Sequence, residues 1–388
     1  MSVKELAGKY KDYAIGLRRE FHMNPEIGME EFRTQKRVME ELRAMGIEYE
    51  AIAGTGIVGY INGNGYGKTV ALRADMDALE VQEENDVDYK SKNDGVMHAC
   101  GHDGHMAALL AAARILSDKR SEFKGRVKLV FQPGEEGAKV GDRMLEGGAV
   151  DDVDAIFGIH LWNEIEVGKV SVEAGPRMAS AGLFKINVKG KGGHGSMPHQ
   201  GVDAGLAGAS ILLNLQSITS RETNPLEAAV VSVGIFKCGE SFNVIPGDAY
   251  LEGTTRCFSK EVNDSLEGQI RRIAESTAAS YRAEADVEYR QIADPVINDT
   301  ELSRIARNSV KSLMGEGANI LFEKTMAGED FSLYSRRTRS VFALVGTKNE
   351  KKHDFHPHHH SKFNIDEDAL QIAAGLHAKF AMDFLNQQ

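Results

Sequence analysis

Cysteine is scarce in this chain of 388 residues: Cys100, Cys238 and Cys257 are the only three, an odd and sparse set that argues against a disulfide framework and fits a reducing compartment. Long apolar runs are missing too. With no stretch of about 20 apolar residues, no membrane-spanning helix is expected. The first residues, MSVKELAGKYKDYAIGLRREF, read as a charged amphipathic helix without the apolar centre of a signal peptide, so the expected location is the cytoplasm. Positive charge is in deficit, with 46 Lys and Arg against 57 Asp and Glu and a formal net charge of -11. No basic stripe is available to grip a phosphate backbone, which argues against a nucleic-acid partner. Internal repeats and low-complexity tracts are also lacking.

What is present is enough chain for two domains, one of them inserted into the other. Helical patterns at 3–22, 29–46 and 104–117 alternate with β-rich runs at Gly56–Ile61, Thr69–Arg73, Val127–Phe131 and Ala155–Ile159, the signature of an α/β layer around a largely buried sheet. NGNGYGKT, between two of these runs, fails as a phosphate loop because its first glycine would fall on Asn62, and it reads as a hairpin turn. From Leu183 the pattern becomes β-α-β-β-α-β, as in a ferredoxin-like domain. It comprises a strand alternating at Phe184, Ile186 and Val188, a helix near 203–217, runs at Ala228–Phe236 and Ala249–Phe258, a helix marked by Val262, Leu266, Ile270 and Ile273, and a strand at Ala285–Arg290. After Asp294-Pro295 a helix near 300–314, a strand at Val341–Gly346 and a last helix that Asp366 could cap return to the first layer. The expected division is therefore 1–180 with 295–388, and 181–294 inserted. KNEKKHDFHPHHH is expected to be a polar loop.

Four segments carry chemistry. His98-Ala-Cys100-Gly-His102-Asp-Gly-His105 puts three imidazoles, a thiol and a carboxylate within eight residues, just before an Ala/Leu-rich helix, a density that points to metal. Gln-Pro-Gly-Glu135-Glu136-Gly follows the run RVKLVF, at a strand's carboxyl end where open α/β sheets place ligands. Adjacent side chains point apart, so one glutamate can bind metal while the other serves as a general base. AIFGIH ends on His160. The run His356-Pro-His-His-His-Ser-Lys-Phe363 offers a further histidine, though spacing alone does not select which. At least five ligand side chains exceed what one tetrahedral ion requires, which favours paired metals with a bridging ligand. Zinc, manganese, cobalt and nickel all suit such donors.

With RREFHMNPEIGMEE, ALRADMDAL, MHACGHDGH, VFQPGEEG, GIHLW, GKGGHGSMPH, FNVIPGDAYLEGTTR, AGEDF and HHSKF in order over nearly its whole length, the chain resembles the dinuclear metallohydrolases that include aminoacylase, hippurate hydrolase, auxin-conjugate amidohydrolases and N-acetyl-diaminopimelate deacetylase. The resemblance implies an α/β metallopeptidase-like catalytic domain with an inserted ferredoxin-like lid and dimerisation domain. It implies two divalent metal ions per subunit held by Cys100, His102, Glu136, His160 and His359, the last standing four before Phe363. Glu135 is then the general base for a metal-activated water that cleaves N-acyl amino acids. Wider relatives carry His-x-Asp where this chain has Arg73-Ala-Asp75. That histidine ligand is missing, Cys100 compensates, and Asp75 or the nearby Asp77 is expected to orient Glu135 or a ligand. His194 is expected to enter the neighbouring subunit's site in a homodimer and stabilise the oxyanion, and Asn243 and Arg256 to read the substrate carboxylate. The alternatives are a dipeptidase or carboxypeptidase with the same centre, and a catalytically silent metal-binding dimer.

Overall fold

The computed structural model describes residues 1–137, 141–352 and 354–387, and these divide into two compact units. His353, within the expected polar loop, lies outside the described residues. The first unit is Met1–Gly175, Ile297–Glu323 and Leu333–Gln388, and the second is Pro176–Val296 with Lys324–Ser332. Lys324–Ser332 joins the second through backbone hydrogen bonds: Ala179 N donates to Thr325 O (3.1 Å) and Ala327 O (3.0 Å), and Thr325 N to Arg177 O (3.0 Å). Nothing in the local sequence marks that pairing.

In the first unit a seven-stranded sheet runs in the order Glu48–Ile52, Gly56–Asn62, Arg126–Gln132, Thr69–Asp75, Ala155–Glu166, Arg339–Lys348 and Val170–Ser171. The four strands from Arg126–Gln132 to Arg339–Lys348 are mutually parallel. Their interiors are buried, which is why they read as continuous apolar runs rather than alternating ones. Arg126–Gln132 lies between Gly56–Asn62 and Thr69–Asp75, so NGNGYGKT is a connection around an intervening strand, and the hairpin expected from its glycines is not formed. The edge strand Glu48–Ile52 had no sequence signal because EYEAI is polar and mostly exposed.

Helix His102–Asp118 is buried along almost its whole length, its alanines allowing close approach to helices Lys11–His22 and Asp368–Leu385. The first helical pattern is split at Tyr10 into Val3–Lys9 and Lys11–His22. The N-cap of the last helix is Glu367, without a side-chain cap, so Asp366 is not the cap residue expected, although its Oδ1 accepts from Asp368 N at 3.0 Å. The parallel strands bring Asp75, the turn after Gln132 and His160 toward the same carboxyl edge of the sheet.

The second unit has an antiparallel sheet in the order Ala229–Cys238, Asp248–Cys257, Ala181–Lys189, Glu284–Ala293, the ferredoxin-like arrangement. Alternation in burial along Ala181–Lys189 and Asp248–Cys257 gives the sheet one apolar face. Helices Ala204–Ser217 and Lys260–Ser280 share a core with that face, through Phe184, Ile211, Leu251 and Ile270 among others. Asp203 and Ser259 cap them, accepting from Leu206 N and Val262 N.

In the first unit's core, fully buried Phe157 stacks on Phe380 with ring centroids 4.3 Å apart. Phe157→Ala should lower unfolding free energy by about 3–5 kcal/mol in urea titration, and a loss under about 1 kcal/mol would contradict this packing.

Candidate metal centre

Gly101 takes φ 91 and caps helix His102–Asp118, so Cys100 and His102 flank a left-handed turn that glycine adopts without strain. His102 is almost fully buried. Its Nδ1 lies 2.9 Å from the Asp77 carbonyl and 3.2 Å from Asp77 Oδ1. A carbonyl can only accept, so Nδ1 carries a proton, while the buried Nε2 finds no hydrogen-bond partner among the described residues. His160 is set in the same way: Nδ1 donates to Leu161 O at 2.9 Å, and Nε2 stands 3.5 Å from Cys100 Sγ. The protein thus orients both imidazoles through one nitrogen and presents the other to the same space.

Glu136 follows the strand Arg126–Gln132 by a short turn. Its amide N donates to Asp77 Oδ2 at 2.9 Å, and its Oε1 lies 3.2 Å from His359 Nε2 and 3.8 Å from His102 Nε2. His359 has φ 66, and its amide N donates to Ala99 O at 2.8 Å, a tie that sets the His359 loop beside Cys100. Donor atoms of Cys100, His102 and His160 all lie within 4.8 Å of one another, as do those of Cys100, Glu136 and His359, and those of His102, Glu135 and Glu136. All five expected ligands and Glu135 are therefore brought together, with Cys100 common to two of the groups.

Electrostatics favour a cation here. Burial pushes the Cys100 thiol well above its ordinary range, and Glu136, Glu135 and Asp75 push it further. Burial alone would pull His102 down, but Asp75, Asp77 and Glu136 outweigh it and hold the imidazole up to about 10. His160, in contrast, is driven well below the usual histidine range by burial, with His105 and His358 adding to the effect. A neutral imidazole, a thiol, carboxylates and an orphaned Nε2 in one buried space form a donor set that fits divalent metal ions.

The remaining motif residues are placed differently. His105 Nε2 accepts from Leu161 N at 2.9 Å, which leaves Nδ1 to donate to Asp75 Oδ1 at 2.5 Å. Both nitrogens are thereby committed. Asp75 also receives Arg73 Nη1 at 2.7 Å, and its Oδ2 comes no nearer than 3.7 Å to His102 Nε2. Of the two acids the sequence left open, Asp77 is the one that meets His102 Nδ1 and the Glu136 amide. His98 is buried but belongs to none of these donor groups, and burial takes it down to about 3. Asp103 accepts from Arg18 Nε at 2.9 Å and pairs with His22 Nδ1 at 2.7 Å, a buried network that nothing in the CGHDGH spacing announces.

In the second unit, exposed His194 sits on a two-residue strand paired with Val244, next to Asn243. Gly195 N donates to Asn243 O at 2.8 Å, and Ser196 Oγ lies 2.9 Å from His194 Nδ1. Arg256, on strand Asp248–Cys257, donates to Thr255 O at 2.8 Å and Thr254 Oγ1 at 2.5 Å.

A mixed sheet with a parallel centre and thiol, imidazole and carboxylate donors at its carboxyl edge is the arrangement of a metallohydrolase. More particularly, residues 71–383 match Peptidase family M20/M25/M40, and the chain belongs to that family. It is 40% identical to thermostable carboxypeptidase 2 of Saccharolobus solfataricus, over 99% of this chain and 98% of that one. It is 39% identical to IAA-amino acid hydrolase ILR1-like 4 of Arabidopsis thaliana, over 96% and 86%. The Bacillus subtilis YXEP protein, a dinuclear metal binding peptidase, superposes with a TM-score of 0.86 at 35% identity, covering 98% of this chain and 100% of that one. The chain is a metal-dependent, amide-hydrolysing enzyme, which sets aside the silent metal-binding dimer.

The raised Cys100 and His102 values place a proton on each at neutral pH in the metal-free protein. Divalent ions binding there must displace both, so calorimetric titration in buffers of different ionisation heat should show release of about two protons per subunit at pH 7. The release should diminish above pH 10 as His102 loses its proton unaided. Uptake without any release at pH 7 would place the metal elsewhere.

Proposed function

We propose that this enzyme hydrolyses the amide bond of N-acyl amino acids, with acetyl, benzoyl or similar acyl groups, to a carboxylic acid and a free amino acid. The observation that carries this reading is Glu135, which shares one donor cluster with His102 and Glu136 while Glu136 also groups with Cys100 and His359. Two divalent ions per subunit, held by Cys100, His102, Glu136, His160 and His359, would polarise the scissile carbonyl and acidify a water. Zinc, manganese, cobalt and nickel are all compatible with these donors. Glu135 takes the proton from the attacking water and passes it to the leaving nitrogen. Asp77, held against His102 Nδ1 and the Glu136 amide, keeps two ligands in register as that proton moves.

The segment 181–294 acts as lid and dimerisation domain on the scaffold formed by 1–180 and 295–388. His194 supports the developing oxyanion in a neighbouring subunit of a homodimer, and Asn243 and Arg256 read the substrate carboxylate. The Arg256 guanidinium suits a planar carboxylate. The proposed location is the cytoplasm; no helix among the described residues is long and apolar enough to cross a membrane. A carboxypeptidase reading draws on the 40% identity to a relative of that name, and cleavage of a peptide bond next to a terminal carboxylate uses the same groups.

Glu135→Gln should lower kcat by about 10²- to 10⁴-fold, the span of a lost general acid–base, while calorimetry shows metal bound as in the unsubstituted enzyme. Full activity in this variant would remove Glu135 from the chemistry. Arg256→Ala should raise KM for carboxylate-bearing substrates and spare an amide-blocked analogue, and equal loss on both would exclude the carboxylate contact.

A further inference from the structure

Glu31 occupies the N-cap position of helix Phe32–Ala44, yet its side chain makes no cap to that helix. Glu26 does that work, accepting from Arg33 N at 3.0 Å and from Thr34 N and Oγ1 at 2.8 Å. The Glu31 carboxylate turns inward and is fully buried. One oxygen accepts from Thr55 Oγ1 at 2.6 Å and the other from Gly134 N at 2.9 Å. Among the described residues no Lys, Arg or His pairs with it. A buried carboxylate without a cation is costly to the fold, so its placement calls for a reason.

That reason lies in what Gly134 carries. Gly134 has φ 62 and immediately precedes Glu135, in the turn after the strand Arg126–Gln132. Pro133 has no amide hydrogen to offer. On the far side of Glu135, the amide of Glu136 donates to Asp77 Oδ2 at 2.9 Å. Two carboxylates from distant parts of the chain thus hold the peptide N–H groups on either side of Glu135. A Cβ at Gly56 would fall 2.7 Å from Met144 Sδ, 2.9 Å from the Ile52 carbonyl and 3.1 Å from Pro133 Cδ, so glycine there leaves room for the turn among its neighbours. Thr55, its neighbour, anchors the other oxygen of Glu31.

We infer that Glu31 is a positioning residue for Glu135: by accepting the Gly134 N–H while Thr55 holds its second oxygen, it sets the turn from which Glu135 reaches the reacting water. This inference rests on Glu135 as general base. A displacement of about 1 Å in a reacting group can cost on the order of 100-fold in rate, and a turn freed at one end allows such a displacement.

The test compares Glu31→Met, which keeps length but removes the acceptor, with Glu31→Gln, which keeps an oxygen for Gly134. Glu135→Gln serves as the control. Each protein is loaded with manganese, its metal content measured, and kcat and KM determined on an N-acyl amino acid. Glu31→Met should lose about 10- to 100-fold in kcat, with KM within about twofold and metal content unchanged, and Glu31→Gln should recover most of the loss. Hydrogen exchange of the metal-free proteins should show the peptide spanning 130–137 exchanging faster in Glu31→Met than in Glu31→Gln. Unsubstituted kcat and exchange in a folded Glu31→Met protein would overturn the inference, as would a loss matched by lost metal. Should Glu31→Met fail to fold, Thr55→Val decides: an expected loss of about 3- to 10-fold, restored in Thr55→Ser, supports the clamp, and full kcat overturns it. If Glu135→Gln itself stays active, the general-base reading fails; if that variant is dead while Glu31→Met is silent, the positioning role alone fails.

Discussion

The backbone of Leu161 is the point on which the site turns. Its carbonyl accepts from His160 Nδ1 at 2.9 Å and from His358 Nε2 at 3.1 Å, and its N–H donates to His105 Nε2 at 2.9 Å. Three imidazoles are therefore fixed in tautomer and direction by the backbone N–H and C=O of one residue within a buried parallel strand. Because the carbonyl accepts from His160 Nδ1–H, Nε2 is left to face Cys100. Because the N–H occupies His105 Nε2, that ring donates its Nδ1–H to Asp75 Oδ1 and has no free nitrogen left to offer. Glycine at 104 lets helix His102–Asp118 come this near without displacing its neighbours: a Cβ there would fall 2.5 Å from Leu161 Cδ1.

Around this point helix Lys11–His22 and the last loop act as a frame. Arg18, fully buried, donates to Asp103 at 2.9 Å and to Asn364 Oδ1 at 3.0 Å. It joins the residue after His102 to the loop that follows His359. His22 lies between Asp103 Oδ2 and Glu83 Oε1 at 2.7 and 3.1 Å. Burial and Arg18 oppose its protonation, yet the two carboxylates prevail and raise it above the ordinary histidine range. Breaking a buried pair of this kind typically costs several kcal/mol, so these contacts make the spacing between metal-facing segments a property of the folded core.

The sequence made the donors legible but not their division of labour. Cys100, His102, Glu136, His160 and His359 stand out because thiol, imidazole and carboxylate groups in dense motifs beside apolar runs have few other uses. Separating His102 from His105, or Asp77 from Asp75, needs hydrogen-bond partners that lie 25 to 56 residues away, and no local pattern encodes these. Strand periodicity likewise revealed the ferredoxin-like unit, because one sheet face is apolar and alternation follows. It did not reveal strand order in the larger sheet, where Arg126–Gln132 inserts between two runs joined by a glycine-rich connection. Glu31 carried no signal of its own, and only the folded chain shows its carboxylate turned inward, away from the helix it precedes.

The most direct measurement of the central claim is release of free amino acid from N-acetyl and N-benzoyl amino acids by protein stripped with a chelator and then supplied with manganese, zinc, cobalt or nickel. The expected result is no turnover in the stripped protein and restored hydrolysis with at least one of these ions, in proportion to metal bound. Turnover that persists in fully stripped protein, or metal-saturated protein that cleaves none of these amides, would contradict it.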